Sequence, residues 1–216
     1  MKKLMKHQKR KKVLYPNGKI EKALFNQGFS YVSGVDEVGR GALAGPMVAC
    51  AVTANSKQVQ LLKKLKVRDS KMVAEDKREE LYDKLLAVLN GGYSISSISS
   101  SDIDTKGLSY ANNFVLEQAI LTLKDTPEYV LVDGFYINSI NIKQEKIIHG
   151  DEMSVVIATA SVIAKVTRDR LMRELAKEYP QYGFELHKGY GTAKHLDAIS
   201  RHGYSPHHRK SFKVSI

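Results

Sequence analysis

Four carboxylates in this chain, at three places, stand beside glycine or at the end of an apolar run. Asp36 and Glu37 lie within Gly34-Val35-Asp36-Glu37-Val38-Gly39. Asp133 follows Val130-Leu131-Val132 and precedes Gly134, and Asp151 stands between Gly150 and Glu152. An acid inside an apolar strand is costly to bury unless something neutralises it. Hard divalent cations bound by oxygen ligands do that, and two such ions roughly 3.5–4 Å apart can activate a water and stabilise the leaving oxygen of a phosphodiester. The chemistry needs three or four carboxylates converging from different strands. The competing reading is that these are turn-forming acids, since Asp and Gly both favour turns, and the long-range spacing leaves both readings open. Adjacent strand residues point to opposite faces, so Asp36 and Glu37 can share one site only if the strand bends or ends there. The flanking glycines suggest a bend or bulge.

The elements that would position these acids follow from periodicity. Residues 29–38 and 46–54 predict two strands. The glycine-rich connection Gly39-Arg40-Gly41-Ala42-Leu43-Ala44-Gly45 suits an antiparallel hairpin. Residues 75–90 predict a helix, with Leu81, Leu85, Leu86 and Leu89 at helical spacing and Asn90-Gly91-Gly92 ending it. The serine-rich stretch 94–101 alternates polar with apolar at Tyr93, Ile95 and Ile98, so 93–99 reads as a third strand rather than a linker. A helix over 108–124, strands over 129–132 and 145–148, a long helix over 154–179 stopped by Pro180, and a helix over 193–202 complete the chain. Ala158, Ala160, Ser161 and Ala164 at the start of the long helix suggest close packing on a sheet. This order implies an α/β domain with a mixed sheet, and acids at strand ends sit where catalytic groups commonly lie.

Composition narrows the class. The 216 residues suggest one domain, and 43% apolar content suffices for a normal core. The longest apolar runs, 47–54 and 155–164, are about half of the roughly 20 residues that cross a bilayer. The basic N-terminus has no apolar segment behind it and does not read as a secretory signal. With Cys50 as the single cysteine, in an apolar run, a buried inert thiol in a reducing compartment is expected. The cytoplasm is the expected location. The formal charge is +11, and residues 1–12 hold seven of the 34 Lys and Arg; without them 27 basic residues face 23 acidic ones, or +4. Such a tail is ordinarily solvated. Together with Arg201, Arg209, Lys210 and Lys213 at the other end it favours a polyanionic partner. We divide the chain into a basic, flexible tail (1–20) and one catalytic domain (21–216). His187, His195, His207 and His208 show no zinc spacing.

Seven blocks of residues carry a family resemblance. Gly34-Val35-Asp36-Glu37-Val38-Gly39-Arg40-Gly41 followed by Leu43-Ala44-Gly45-Pro46 closely resembles the first motif of the type 2 ribonucleases H, the bacterial ribonuclease HII enzymes. The resemblance continues through Arg68-Asp69-Ser70-Lys71, Val132-Asp133-Gly134, Gly150-Asp151, and Ala160-Ser161-Val162-Ile163-Ala164-Lys165-Val166-Thr167-Arg168-Asp169. It closes with His187-Lys188-Gly189-Tyr190-Gly191-Thr192 and His208-Arg209-Lys210-Ser211-Phe212, so that it spans most of the chain. Ala42 stands where many relatives have proline, and Thr159 lies in a stretch usually richer in alanine; neither removes a catalytic group. The tail is too short to be the extra N-terminal domain of the sister type 3 enzymes.

The resemblance implies a ribonuclease H-like fold: a mixed five-stranded sheet flanked by helices, with a helical C-terminal portion. It places the catalytic, metal-binding acids on Asp36, Glu37, Asp133 and Asp151, with Mg²⁺ or Mn²⁺ as cofactor, and it favours Asp151 over its neighbour Glu152. Recognition of the ribose 2′-hydroxyl would fall on Gly39, Arg40, Gly41 and Tyr190. Ser70, Lys71, Lys165, Arg168 and Arg209 are candidate phosphate contacts, although Lys165 and Asp169, four apart on a helix, also suit an ion pair. The implied activity is endonucleolytic, two-metal-ion hydrolysis of the RNA strand of RNA–DNA hybrids, with incision 5′ of single ribonucleotides in duplex DNA. It would leave 5′-phosphate and 3′-hydroxyl ends and serve ribonucleotide excision repair. A monomer is the expected state. Two rivals remain at this point: a catalytically silent nucleic-acid-binding module, and another ribonuclease H-like nuclease such as a junction resolvase.

Overall fold

The computed structural model describes residues 15–67 and 74–213. Five strands, β1 (Val32–Val38), β2 (Met47–Ala54), β3 (Tyr93–Ile98), β4 (Val130–Asp133) and β5 (Gln144–Ile147), form one sheet in the order β3-β2-β1-β4-β5. β1, β2 and β3 pair antiparallel; β4 joins β1, and β5 joins β4, in parallel. The sheet is therefore mixed, as the order of elements predicted.

Both faces are covered. On one lies α7 (Val155–Glu178), joined by α1 (Lys19–Asn26), α2 (Ser56–Lys64) and α3 (Glu75–Leu89); on the other lies α5 (Leu108–Leu121) after the short α4 (Ser100–Lys106). Strand alternation divides the side chains accordingly. Val32, Cys50, Val52 and Leu131 pack towards α7, while Val35, Ala49, Ala51 and Val132 pack towards α5. Residues 155–164 of α7 are all buried. The small side chains do bring the helix close: a Cβ added to Gly34 of β1 would stand 2.6 Å from the backbone of Val156 and Ile157.

α7 is about 36 Å long at 1.5 Å per residue. Beyond Ala164 it carries the C-terminal part: a 3-10 turn (Pro180–Tyr182), α8 (Phe184–His187) and α9 (Ala193–His202). These pack through Tyr182, Phe184 and Ala198 against Met172, Ala176 and Ala44. At the other end of α7, Ser154 caps the helix by accepting from the Ile157 amide. The buried Glu21 carboxylate of α1 accepts from the Ser154 hydroxyl at 2.7 Å and the Val156 amide at 3.2 Å, a negative group where the helix dipole favours one.

Element by element, the long helix, the Asn90 terminator in a left-handed conformation (φ 49) and the break at Pro180 match expectation. α1 and α2 had not been anticipated, and helix 108–124 is shorter and preceded by α4. The expected bulge in β1 is absent, because β1 and β2 pair one-to-one from Val32↔Ala54 to Val38↔Val48. The break is on the other flank, where pairing with β4 stops at Val35. Among the described residues no helix is long and apolar enough to cross a membrane.

Candidate active site

Where β1 outruns β4, the sheet opens into a cavity of about 420 Å³ lined by Asp36, Glu37, Asp133 and Asp151, with the Gly39–Gly41 loop, Ser161, Lys165 and Tyr190 around it. The four carboxylates come from the ends of β1 and β4 and from α6 (Gly150–Met153). Asp36 shares a face with Gly34, towards α7, and Glu37 shares the face of Val35. Both reach one cavity because that edge of β1 has no neighbour beyond Val35.

Asp36 is 7% exposed. Burial above all, then the charges of Glu37 and Asp133, push its carboxyl well above the usual range; a hydrogen bond from the Ser161 hydroxyl works the other way, and Asp151 adds to the rise. Asp133 Oδ1 accepts from the Gly150 amide at 2.7 Å, which ties the end of β4 to α6. Asp36 Oδ1 accepts from the Glu37 amide at 2.8 Å. With one oxygen of each turned to the backbone and like charges repelling, no three His, Cys, Asp or Glu side chains among the described residues form a ready-made metal cage. The donor set still fits a hard divalent cation: four oxygen-bearing anions face one space, and bringing them together needs positive charge between them. Cys50 pairs with Asp36 across β1 and β2 and is fully buried, as expected; burial, then the nearby Asp36, holds its thiol well up.

Of the expected phosphate contacts, Lys165 lines the cavity, and its amine also forms the anticipated ion pair with Asp169 at 2.6 Å. Ser70 and Lys71 lie outside the described residues. Arg168 and Arg209 stand elsewhere: both guanidiniums are buried behind the 39–46 loop and face its carbonyls rather than solvent. Arg168 donates to Pro46, Ala44 and Lys188; Arg209 donates to Gly45 and Arg40. They therefore hold the loop instead of reaching outward. Burial, helped by the nearby Arg168, lowers the Arg209 guanidinium to about 10. Gly39, at φ 89, has no room for a side chain because a Cβ would run into Arg168. Tyr190 sits on the cavity wall with its ring centroid 5.5 Å from the Arg168 guanidinium carbon, and Arg40 lies over Phe135 at 4.7 Å.

Comparison with known proteins agrees with this geometry. The family described as Ribonuclease HII matches residues 33–215. The chain belongs to that family. It is 42% identical over 230 residues to Ribonuclease HII of Clostridium beijerinckii, covering 98% of this chain and 85% of that protein. It is 43% identical over 195 residues to that of Acetivibrio thermocellus, covering 89% and 73%. Among solved structures, ribonuclease H2 of Pyrococcus horikoshii superposes with a TM-score of 0.74 at 25% identity, over 85% of this chain and 94% of that one. The ribonuclease HII in a PCNA complex from Archaeoglobus fulgidus gives 0.72 at 24% identity, over 86% and 96%, a likeness of fold. The ribonuclease H-like fold is thus shown, and the protein is a metal-dependent nuclease of the ribonuclease H kind, a family acting on RNA–DNA hybrids.

Ser161, named in the sequence only as a small packing residue and within the 160–169 block, is a hydrogen-bond partner of Asp36 on α7, a role its sequence position did not disclose. Sequence reasoning missed that His187, His195 and His208 come together behind Tyr190: His187 and His195 stack at 4.3 Å, and the Nε2 atoms of His195 and His208 lie 3.0 Å apart.

Proposed function

We propose that this enzyme hydrolyses the RNA strand of RNA–DNA hybrids and incises duplex DNA on the 5′ side of a single embedded ribonucleotide. The observation that carries the reading is that one cavity brings the four carboxylates against the Gly39–Gly41 loop and Tyr190. Asp36, Glu37, Asp133 and Asp151 would hold two divalent ions, Mg²⁺ or Mn²⁺, which when bound supply an activated water and neutralise charge at the phosphate and its leaving oxygen. Water attacks in line, and the ends are 5′-phosphate and 3′-hydroxyl.

The chain's own residues choose the substrate. A Cβ on Gly41 would meet nothing among the described residues within 4 Å, which leaves room there for a ligand. A ribose can approach the backbone there, and its 2′-hydroxyl is the group that separates RNA from DNA. Tyr190, 36% exposed, lines the same cavity and offers its ring to the sugar. Lys165 is the side chain placed to meet a phosphate. The proposal extends to a monomer working in the cytoplasm in ribonucleotide excision repair, which rests on the family resemblance.

The test is cleavage, with Mg²⁺ or Mn²⁺, of a DNA duplex carrying one ribonucleotide, beside an all-DNA duplex and a long RNA–DNA hybrid. Incision 5′ of the ribonucleotide with all-DNA spared is expected. Cutting of the long hybrid alone would overturn the junction specificity, and equal cutting of all-DNA would overturn the role given to the 2′-hydroxyl.

A further inference from the structure

The turn that carries Tyr190 is held through three consecutive carbonyls. That of Lys188 accepts from Arg168 Nη1 at 2.8 Å. That of Gly189 accepts from the amides of Leu43 and Ala44 at 2.8 and 3.2 Å. That of Tyr190 accepts from His195 Nδ1 at 3.0 Å and from the Thr192 amide at 2.8 Å. Lys188 and Gly189 both have positive φ, 51 and 81. For a lysine this is unfavourable backbone, which persists only where the surroundings over-determine it.

His195 is itself held by a second histidine, and the chain of hydrogen bonds has one polarity. His208 Nδ1 accepts from the Ser205 amide at 2.9 Å, and an amide can only donate. The proton of neutral His208 is therefore on Nε2, from which it is donated to His195 Nε2 at 3.0 Å. His195 must then carry its own proton on Nδ1, where it meets the Tyr190 carbonyl. Both rings are buried, 0% and 2% exposed. His187 stacks on His195 and fixes its plane; it is pinned between the Tyr182 carbonyl and the Gly189 amide. The segment that carries His208 also carries Arg209, which grips the Arg40 and Gly45 carbonyls. One stretch of chain thus holds both walls of the cavity on the ribose side.

We infer that His208 and His195 form a positioning relay that sets Tyr190 against the Gly39–Gly41 loop and thereby determines how well the enzyme tells ribose from deoxyribose. The inference rests on the reading of Tyr190 as a ribose-recognition residue. Neither histidine lines the cavity, so they act through Tyr190 and not on the substrate.

The experiment measures discrimination between a duplex with one ribonucleotide and its all-DNA counterpart. The readouts are kcat and KM for cleavage and, independently, fluorescence anisotropy of binding without divalent metal. The set is the full-length wild type, Tyr190→Ala, His195→Asn and His195→Phe. Asparagine keeps an N–H where Nδ1 stood; phenylalanine fills the space without a donor. His195→Phe should lose about tenfold in binding preference and in kcat/KM for the ribonucleotide duplex, the weight of one hydrogen bond, and His195→Asn should recover most of it. If the phenylalanine variant does not fold, His208→Gln, which keeps a donor at the Nε2 place, against His208→Met decides the same point. Loss of discrimination in Tyr190→Ala but not in His195→Phe, or equal loss in the asparagine and phenylalanine variants, overturns the relay and leaves Tyr190 in place. Undiminished discrimination in Tyr190→Ala overturns the reading of Tyr190 and the relay with it.

Discussion

The two sides of the cavity treat buried polar groups in opposite ways. At the ends of β1 and β4, four carboxylates face one space, Asp36 is nearly buried among them, and its carboxyl is driven upward by burial and by its neighbours' charges. Behind the 39–46 loop, Arg168 and Arg209 are 0% and 1% exposed, yet their donors meet the carbonyls of Arg40, Ala44, Gly45, Pro46 and Lys188. The first side leaves electrostatic strain for something from outside to relieve. The second uses buried polar groups to fix a backbone. Stability should accordingly be limited by the acids and supplied by the arginines, and substitutions on the two sides should move activity and stability in different combinations.

The largest expected effect is on activity alone. Asp133→Asn should reduce turnover by on the order of 10³-fold, in the range for removing one preorganised electrostatic group, with the melting temperature unchanged or higher because a like charge has gone. Retained turnover in steady-state cleavage of a hybrid would remove Asp133 from the site. On the other side, Arg168→Met leaves the Pro46, Ala44 and Lys188 carbonyls without their donor. Denaturant unfolding should show a loss of about 3–5 kcal/mol, since each buried acceptor left unsatisfied costs about 1–3 kcal/mol. A stability change below about 1 kcal/mol would mean that the loop is held by other contacts.

The two sides also differ in how far the sequence discloses them. Asp36, Glu37 and Asp133 stand out because a carboxylate after Val130-Leu131-Val132, or inside Gly34–Gly39, breaks an apolar pattern, but a turn-forming reading competes and it is the family resemblance that singles out all four acids. The sheet was legible because short apolar runs bounded by glycine, and in β3 a period-two alternation, are local signals. The clamp is not legible. Arg168 meets carbonyls 20 to 124 residues away, and Arg209 meets carbonyls 164 to 169 residues away. An arginine satisfied by backbone leaves no complementary charge in the sequence, so nothing local distinguishes a loop clamp from the phosphate contact that the resemblance suggests. The histidines were weighed only as metal ligands, whereas the fold stacks and hydrogen-bonds them. α2 is a different case: its Asn55–Gln58 capping box is a local signal that the sequence does contain. α1 is anchored by Glu21 meeting Ser154, a partner 133 residues away.

A smaller effect tests how closely the sheet and α7 must meet to place Asp36. Gly34→Ala puts a methyl group 2.6 Å from the α7 backbone at Val156 and Ile157, where neither atom is a flexible side-chain end. Overpacking of this kind costs about 1–3 kcal/mol. Because Asp36 lies two residues along on the same face and contacts Ser161 of α7, cleavage should fall as well, by a larger factor than for an equally destabilising substitution in the α8–α9 region. Equal losses would show that the fit of α7 on β1 matters only for stability.

The smallest effect at neutral pH is the one that separates the two sides by titration. Burial chiefly, with the hydrogen bond donated to the Tyr190 carbonyl opposing it and His187 adding to it, lowers His195 to about 4. Burial and then the neighbouring His195 lower His208 to about 4, with His207 and His187 contributing in the same sense. Against an ordinary value of 6.5, the folded state binds fewer protons than the unfolded chain between these limits. The neutral pair therefore contributes stability fully above about pH 6.5 and loses it as the pH falls towards about 4, after which both states are protonated. Asp36 has the opposite sign: its raised carboxyl makes the acid side of the cavity more comfortable as the pH falls. The imidazole resonances of His195 and His208 should stay unprotonated in NMR titrations down to about pH 4, and His195→Asn should flatten the acid limb of the melting temperature, while Asp36→Asn should steepen it. If His195 titrates near 6.5 in the folded protein, the pair is open to solvent and does not hold Tyr190 through a fixed tautomer.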